Sequence, residues 1–204
     1  MSDEQHIADL IEDLEDFDDD LRDAAKKELI AIGEPAIPQL IEALAHNLSD
    51  VADEASDVLA AIGEPVIPVL VDEIELAPKH QAYAIISTLT RMGELAIPTL
   101  LEALNNKLNE ELREYAVRAL GGMGMTAVST IPALIQALDD PEDEVRTYSA
   151  YALSKMGEAA AEAVPALIKA LEDESERVKH HVAFALDQIG TPEAQEALRS
   201  LSER

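Results

Sequence analysis

Gly33-Glu34-Pro35-Ala36-Ile37-Pro38 returns as Gly63-Glu64-Pro65-Val66-Ile67-Pro68 and again as Gly93-Glu94-Leu95-Ala96-Ile97-Pro98. The glycine of this motif continues at Gly124, Gly157 and Gly190, at spacings of 30, 30, 31, 33 and 33 residues. The proline continues at Pro132 and Pro165. A fixed period of this length marks a repeat architecture, in which each unit hides its apolar face by stacking on its neighbours.

Working back from each glycine, one helix emerges per repeat. Four residues earlier stands leucine every time: Leu29, Leu59, Leu89, Leu120, Leu153 and Leu186. One earlier is Ile32, Ile62, Met92, Met123, Met156 or Ile189. Eight earlier is Ala25, Ala55, Ile85, Ala116, Ser149 or Val182, and twelve earlier is Leu21, Val51, Gln81, Leu112, Val145 or Val178. Offsets of 1, 4, 8 and 12 share one face at 100° per residue. The glycine then sits just past the helix end, where a positive φ is often needed. This is the B helix.

Working forward from each proline gives the A helix. Two residues later comes Leu40, Leu70, Leu100, Leu134 or Leu167, and six later Leu44, Ile74, Leu104, Leu138 or Leu171. In the first three repeats the proline suits a first helical turn. In the last two it falls eight residues past the glycine. There the run Ala159 to Val164 already reads as helical, so Pro165 is expected to kink a helix. Asp140-Pro141-Glu142-Asp143 reads as N-cap, first-turn proline and first-turn acids, and Asp173-Glu174-Ser175-Glu176 and Ser49-Asp50 read similarly. Gly121-Gly122-Met123-Gly124 is expected to loosen the end of its B helix. No segment alternates as a strand should.

The expected fold is all-α: an α-solenoid of about six antiparallel helix pairs, with Thr191 to Arg204 as a capping helix. The repeats run approximately 5–33, 34–63, 64–93, 94–124, 125–157 and 158–190, with the cap at 191–204, as one domain over 1–204. Helices packed ~8–10 Å apart would make the stack roughly 50–60 Å long.

Composition narrows the function. Of 204 residues, 42 are acidic and 15 basic, a net charge of −27. Phosphate contacts need clustered Lys and Arg, so nucleic acid is excluded as a general partner, and an anionic membrane surface is disfavoured. There is no apolar run long enough to span a bilayer, and the acidic start has no signal-peptide core. A cytoplasmic monomer is expected. With no Cys there is no disulfide, thiolate nucleophile or Cys-based metal site. Two Phe, four Tyr and no Trp leave an aliphatic core.

Asp139-Asp140-Pro141-Glu142-Asp143-Glu144-Val145-Arg146, followed by Ala150, Ala152-Leu153 and Met156-Gly157, resembles the HEAT-like repeat of the phycobilisome-lyase type. Asp173 through Gly190 does too, and Val164 to Leu171 looks like the A helix of that repeat. The resemblance covers nearly the whole chain and is strongest over 112–190. It implies a right-handed superhelix, with A helices outside and B helices on the concave face. It also implies an arginine ladder: the basic residue eleven before the glycine, here Arg22, Arg113, Arg146 and Lys179, pairs with acids of neighbouring turns. Ala52 and Ala82 interrupt that ladder in the second and third repeats. Members of this family range from bilin lyases and iron-dependent deoxyhypusine hydroxylases to protein-binding scaffolds, so the fold alone selects no function.

No catalytic constellation is visible. The histidines are His6, His46, His80, His180 and His181, and none is followed by Glu, which the hydroxylase branch requires. His180 and His181 are adjacent, hence about 100° apart on a helix, and make no ligand pair. Asp18-Asp19-Asp20 and Asp139 to Glu144 lack the spacing of a calcium loop and read as helix caps. The glycines follow helices, which does not support a phosphate loop, and no Gly-x-Ser-x-Gly occurs. Neither metal nor cofactor is expected.

The functional signal lies on the B helices away from their apolar face. Six residues before the glycine the chain reads Lys27, Asp57, Ser87, Arg118, Tyr151 and Phe184; nine before, Ala24, Glu54, Ala84, Tyr115, Tyr148 and His181. These columns turn aromatic and basic in the later repeats. Aromatics with Arg are enriched where proteins bind partners, although aromatics at the boundary also fill gaps between helices. The expectation is a non-catalytic scaffold holding a protein or peptide, with Tyr83, Tyr115, Arg118, Tyr148, Tyr151, His181 and Phe184 as contacts. The alternative is a bilin lyase or chromophore-handling chaperone acting on a phycobiliprotein-like client. Residues 1–80 carry 22 acids and 4 bases, so that end would suit a partner with a basic surface. A solvated cap that keeps the stack soluble gives the same excess.

Overall fold

The computed structural model describes residues 3–45 and 49–203. Its contacts divide into two compact units, Met1–Ala96 and Ile97–Arg204. His46 lies outside the described residues, as does the side chain of Ser49 and with it the cap read there.

The first unit holds α1 (Asp3–Asp13), α2 (Asp19–Ile32), α3 (Ile37–Ala43), α4 (Ser49–Ile62), α5 (Val66–Ile74) and α6 (Lys79–Met92). The second holds α7 (Ile97–Leu104), α8 (Glu110–Met123), α9 (Ile131–Ala137), α10 (Asp143–Met156), α11 (Val164–Ala170), α12 (Glu176–Ile189) and α13 (Pro192–Ser202). The even-numbered helices are the B helices, and every one has 14 residues. No strand occurs among the described residues.

The leucines four before each glycine are at most 1% exposed, which places them at the centre of each layer. The A-helix leucines Leu40, Leu70, Leu134 and Leu167 are fully buried against them. Truncating one such leucine to Ala costs about 2–5 kcal/mol, because the layer closes only partly on the cavity. Two members of the apolar column differ. Leu21 is 39% exposed in the first turn of α2. Gln81 donates its side-chain N–H to the Ile41 carbonyl at 3.1 Å, satisfying an acceptor at the end of α3.

Each B helix ends where the glycine takes a positive φ. At Gly157 the backbone is φ 54°, ψ −136°, the mirror image of extended chain, which only glycine adopts readily. Gly190, before the capping helix, is instead left-handed at φ 68°, ψ 10°. Thr191 caps α13 by accepting from the Ala194 N–H, with Pro192 at the first helical position.

Three local expectations are corrected. Pro165 kinks no helix. Residues Gly157–Ala163 form a 3-10 segment broken at Ala160 (φ −89°, ψ 19°), and α11 begins at Val164 with the proline in its first turn. An α-helix running through Pro165 would lack an internal hydrogen bond; starting anew puts the missing N–H where none is needed. Second, Asp140 and Asp173 do not cap helices. Helix α10 starts at Asp143 after Glu142, and α12 at Glu176 after Ser175. The Asp140 and Asp173 carboxylates instead accept from the N–H two residues on, at 2.9 and 2.8 Å, and receive arginines. Third, Gly121 is buried and loosens nothing. A Cβ there would stand 3.3 Å from Ala152 Cβ and 3.5 Å from the Tyr151 ring, so its absence lets α8 and α10 approach. Asp18, by contrast, caps α2 as read, accepting from the Asp20 N–H.

The arginine ladder is present in the second unit. Arg113 forks onto Asp140 at 2.8 and 3.0 Å and donates to the Asn106 carbonyl. Arg146 forks onto Asp173 at the same distances and donates to the Asp140 and Pro141 carbonyls. Lys179 pairs within its own helix, with Glu176. In the first unit Arg22 reaches Glu54 only at 3.7 Å, and other pairs link the B helices there: Lys26 with Glu54 and Arg91 with Asp53 and Asp57. These are more exposed and worth correspondingly less.

Candidate functional site

Six of the seven residues selected from sequence stand on α8, α10 and α12 of the second unit, with α10 packed between its two neighbours. The 14-residue length fixes the register, so equivalent side chains form columns across the three helices. Tyr115, Tyr148 and His181 make one column, and Arg118, Tyr151 and Phe184 the next. Tyr83 belongs to the first unit, on α6, where it is 51% exposed.

Arg118 organises the α8 end. Its guanidinium lies 3.9 Å from the centre of the Tyr148 ring, and a terminal nitrogen reaches Glu114, one turn back, at 2.7 Å. A cation over an aromatic face is held by the ring's negative quadrupole, more strongly as water is excluded. Arg118 is mostly buried here, so Tyr148 and Glu114 together clamp it between α8 and α10. The Tyr151 ring fills the surface beside Gly121, and Lys155 stands 5.0 Å above its centre. Tyr148 and Tyr151 thus serve partly as packing between repeats. Their outer edges remain half-buried rather than covered.

On α12, Phe184 is 45% exposed, with its ring open to solvent. The Nδ1 of His181 donates to the Arg177 carbonyl at 3.0 Å, which orients its ring along the helix, edge-on to His180. Arg177 crosses back to α10 and pairs with Glu144 at 2.7 Å and Asp143 at 3.5 Å. The hydrogen bond to Glu144 raises the Arg177 pKa above its ordinary value against the pull of burial. Sequence columns had not selected Glu114, Glu144, Arg177 or Lys155. Glu114 was findable four residues before Arg118, and Lys155 four residues after Tyr151; Arg177 meets its partners on α10 only through packing.

Among the described residues no group of three or more His, Asp or Glu could hold a metal ion. Nor is any helix long and apolar enough to cross a membrane.

Residues 97–161 and 131–204 each match the sequence pattern of HEAT repeats, and together these spans cover more than half of the chain. The chain belongs to the HEAT-repeat family. No curated protein matches this HEAT-repeat sequence. Solved structures resemble it in fold. One engineered protein has a TM-score of 0.51 at 21% identity, over 95% of this chain and 61% of its own, so the HEAT-repeat chain spans about three fifths of that protein's length. The complex of CpcE and CpcF of phycocyanin lyase from Nostoc sp. PCC7120 has a TM-score of 0.54 at 21% identity, over 74% of this chain and 98% of that one. At such identity the likeness is one of fold: an all-α solenoid of repeated helix pairs.

Proposed function

We propose that this HEAT-repeat chain is a non-catalytic scaffold that binds a protein or peptide on the B-helix face of α8, α10 and α12. The observation that carries the reading is Phe184, an apolar ring 45% exposed on the column that also holds Tyr151 and Arg118. The layer's core is already closed beneath it by Val182, Ala185 and Leu186, which are fully buried, so burial of Phe184 is not needed for folding. Partly exposed aromatics beside arginine are the usual anchors of binding sites. Tyr115, Tyr148 and His181 would flank them, and Tyr83 would extend the contacts if residues 1–204 act as one continuous domain. In keeping with the family resemblance, this face would be the concave side of the B-helix stack. The scaffold is taken as a cytoplasmic monomer.

The test compares capture of a partner from the source cell by the native chain and by Tyr151→Ala/Phe184→Ala. Equal capture of the same partner by a folded double variant removes the site. A chromophore-handling role is the second reading, supported by the fold likeness to the phycocyanin lyase subunits. Mixing with a bilin tests it: an unchanged absorbance spectrum, with and without a phycobiliprotein, excludes it.

A further inference from the structure

Between the C-terminal ends of α7 and α9 the second unit has an open pocket of about 340 Å³, a volume in the range of small-molecule sites. Leu104, Ala133, Ala137 and Pro141 supply its apolar wall. The largely buried ladder pair, Arg113 with Asp140, also lines it, and Asn105, Lys107, Gln136 and Asp139 are exposed on its rim.

The next repeat shows why the pocket is open. Seven residues after the A-helix proline stands Asn105 in the fourth repeat and Asp139 in the fifth; four after it stands Gln136 in the fifth and Lys169 in the sixth. Lys169 reaches back to Asp139 at 2.8 Å and ties α11 to the end of α9. One repeat earlier the same two positions hold neutral amides. Asn105 donates instead to the Leu101 carbonyl of its own helix at 2.8 Å, and no ion pair clasps Gln136 to it. The turn is longer too. Leu104 and Arg113 lie 9 positions apart, against 8 for Leu138 and Arg146 and 8 for Leu171 and Lys179. The added residue falls in the turn that brings Lys107 to the pocket and leaves Leu108 98% exposed.

Charge at the pocket is uneven. Asp140 receives the Arg113 fork and Asp139 the Lys169 ammonium, so both carboxylates are matched. Lys107 is not. Every other described Lys or Arg of the second unit has a carboxylate or an aromatic ring as partner. In a chain of net charge −27, a cation left without a carboxylate beside an apolar wall suits an anion with an apolar body.

We infer that this pocket binds a small amphipathic carboxylate. Its apolar chain lies along Leu104, Ala133 and Ala137, its carboxylate accepts from the Lys107 ammonium, and the Gln136 amide donates beside it. The site uses none of the contacts of the B-helix face and stands or falls apart from it.

Octanoate is titrated into the isotope-labelled whole chain at near-physiological salt and followed by amide chemical shifts. Octylamine, the same chain with a cationic head, is titrated in parallel. Lys107→Gln removes the ammonium from an exposed turn, and Ala133→Phe fills the pocket. Lys79→Gln removes an equal charge from the first unit, and circular dichroism confirms folding of all three variants. The expected result is saturable shifts at Leu104, Lys107, Ala133 and Ala137 with a Kd of about 1 mM or tighter, and weaker binding of octylamine. Lys107→Gln should weaken octanoate about threefold or more and Ala133→Phe about tenfold or more, with Lys79→Gln changing it less than about 1.5-fold. No saturable shift at these residues, or shifts that survive Ala133→Phe, overturn the pocket as a site. Octylamine binding as tightly as octanoate, or equal weakening by Lys107→Gln and Lys79→Gln, overturns carboxylate recognition by Lys107.

Discussion

Arg146 holds Asp173 side-on, with Nε 2.8 Å from one carboxylate oxygen and a terminal nitrogen 3.0 Å from the other. The pair joins α10 to the turn before α12, 27 residues along the chain, and both side chains are about a tenth exposed. Removing the arginine strands a largely buried carboxylate and frees the Asp140 and Pro141 carbonyls. Arg146→Ala is expected to destabilise the second unit by roughly 3 kcal/mol, measured by urea unfolding. Arg146→Lys should recover only part of this, since an ammonium lacks the fork. Equal stability of the lysine variant and native protein would show that charge alone suffices.

The same pair gives the fold an acid limit. Burial works to raise the Asp173 pKa, but the Arg146 hydrogen bond, the Ser175 N–H and the arginine's charge outweigh it, and the net shift is downward. The folded state therefore binds fewer protons than the unfolded one between the two pKa values. Its contribution is fully present above the ordinary Asp range, near pH 4, and fades as the pH falls through the lowered folded value. Asp173→Asn should cost stability at neutral pH and flatten the acid side of a Tm-versus-pH curve.

Glu142 predicts the opposite sign. Its pKa is raised, chiefly by Glu110, so stability is lost as the pH rises through the ordinary Glu range. Glu142→Gln is expected to raise Tm at neutral pH, with the gain vanishing in acid. A Tm that falls at neutral pH would mean that the carboxylate makes a favourable contact that outweighs the repulsion.

Gly121 and Gly122 are adjacent in α8 but answer differently to alanine. At Gly121 the new methyl meets Ala152 at 3.3 Å, next to helix backbone that cannot yield without shifting α10. The cost should be about 1–2 kcal/mol by overpacking. Exposed Gly122 lies in the helix, and alanine there should stabilise by up to about 1 kcal/mol. Thermal unfolding of the two variants decides the matter by sign.

Two terminal glycines separate similarly. Asn enters left-handed backbone at small cost but not the conformation of Gly157. Gly190→Asn should cost well under 1 kcal/mol, and Gly157→Asn about 1–3 kcal/mol. Matching losses would imply that both turns relax to one conformation.

The sequence by itself determined the repeat, both helix types, their apolar faces and the last residue of each B helix. These follow from periodicity and from the glycine at every helix end, which are local properties of the chain. Tertiary structure decided the rest. Asp140 and Asp173 looked like caps because cap and ion-pair acceptor are spelled with the same residues; only an arginine 27 positions earlier distinguishes them. The Gly121 pair was read as slack because a sequence cannot show that Ala152 and Tyr151 press against one of its members. Tyr83, Tyr115, Arg118, Tyr148, Tyr151, His181 and Phe184 were placed on the B helices by counting, and the structure keeps them there. Counting could not show that Arg118 is spent on Tyr148 and Glu114 while Phe184 stays open, or that Glu142 meets Glu110. Exposure and charge environment depend on which side chains from neighbouring repeats converge, and a one-dimensional period fixes the column but not its contacts.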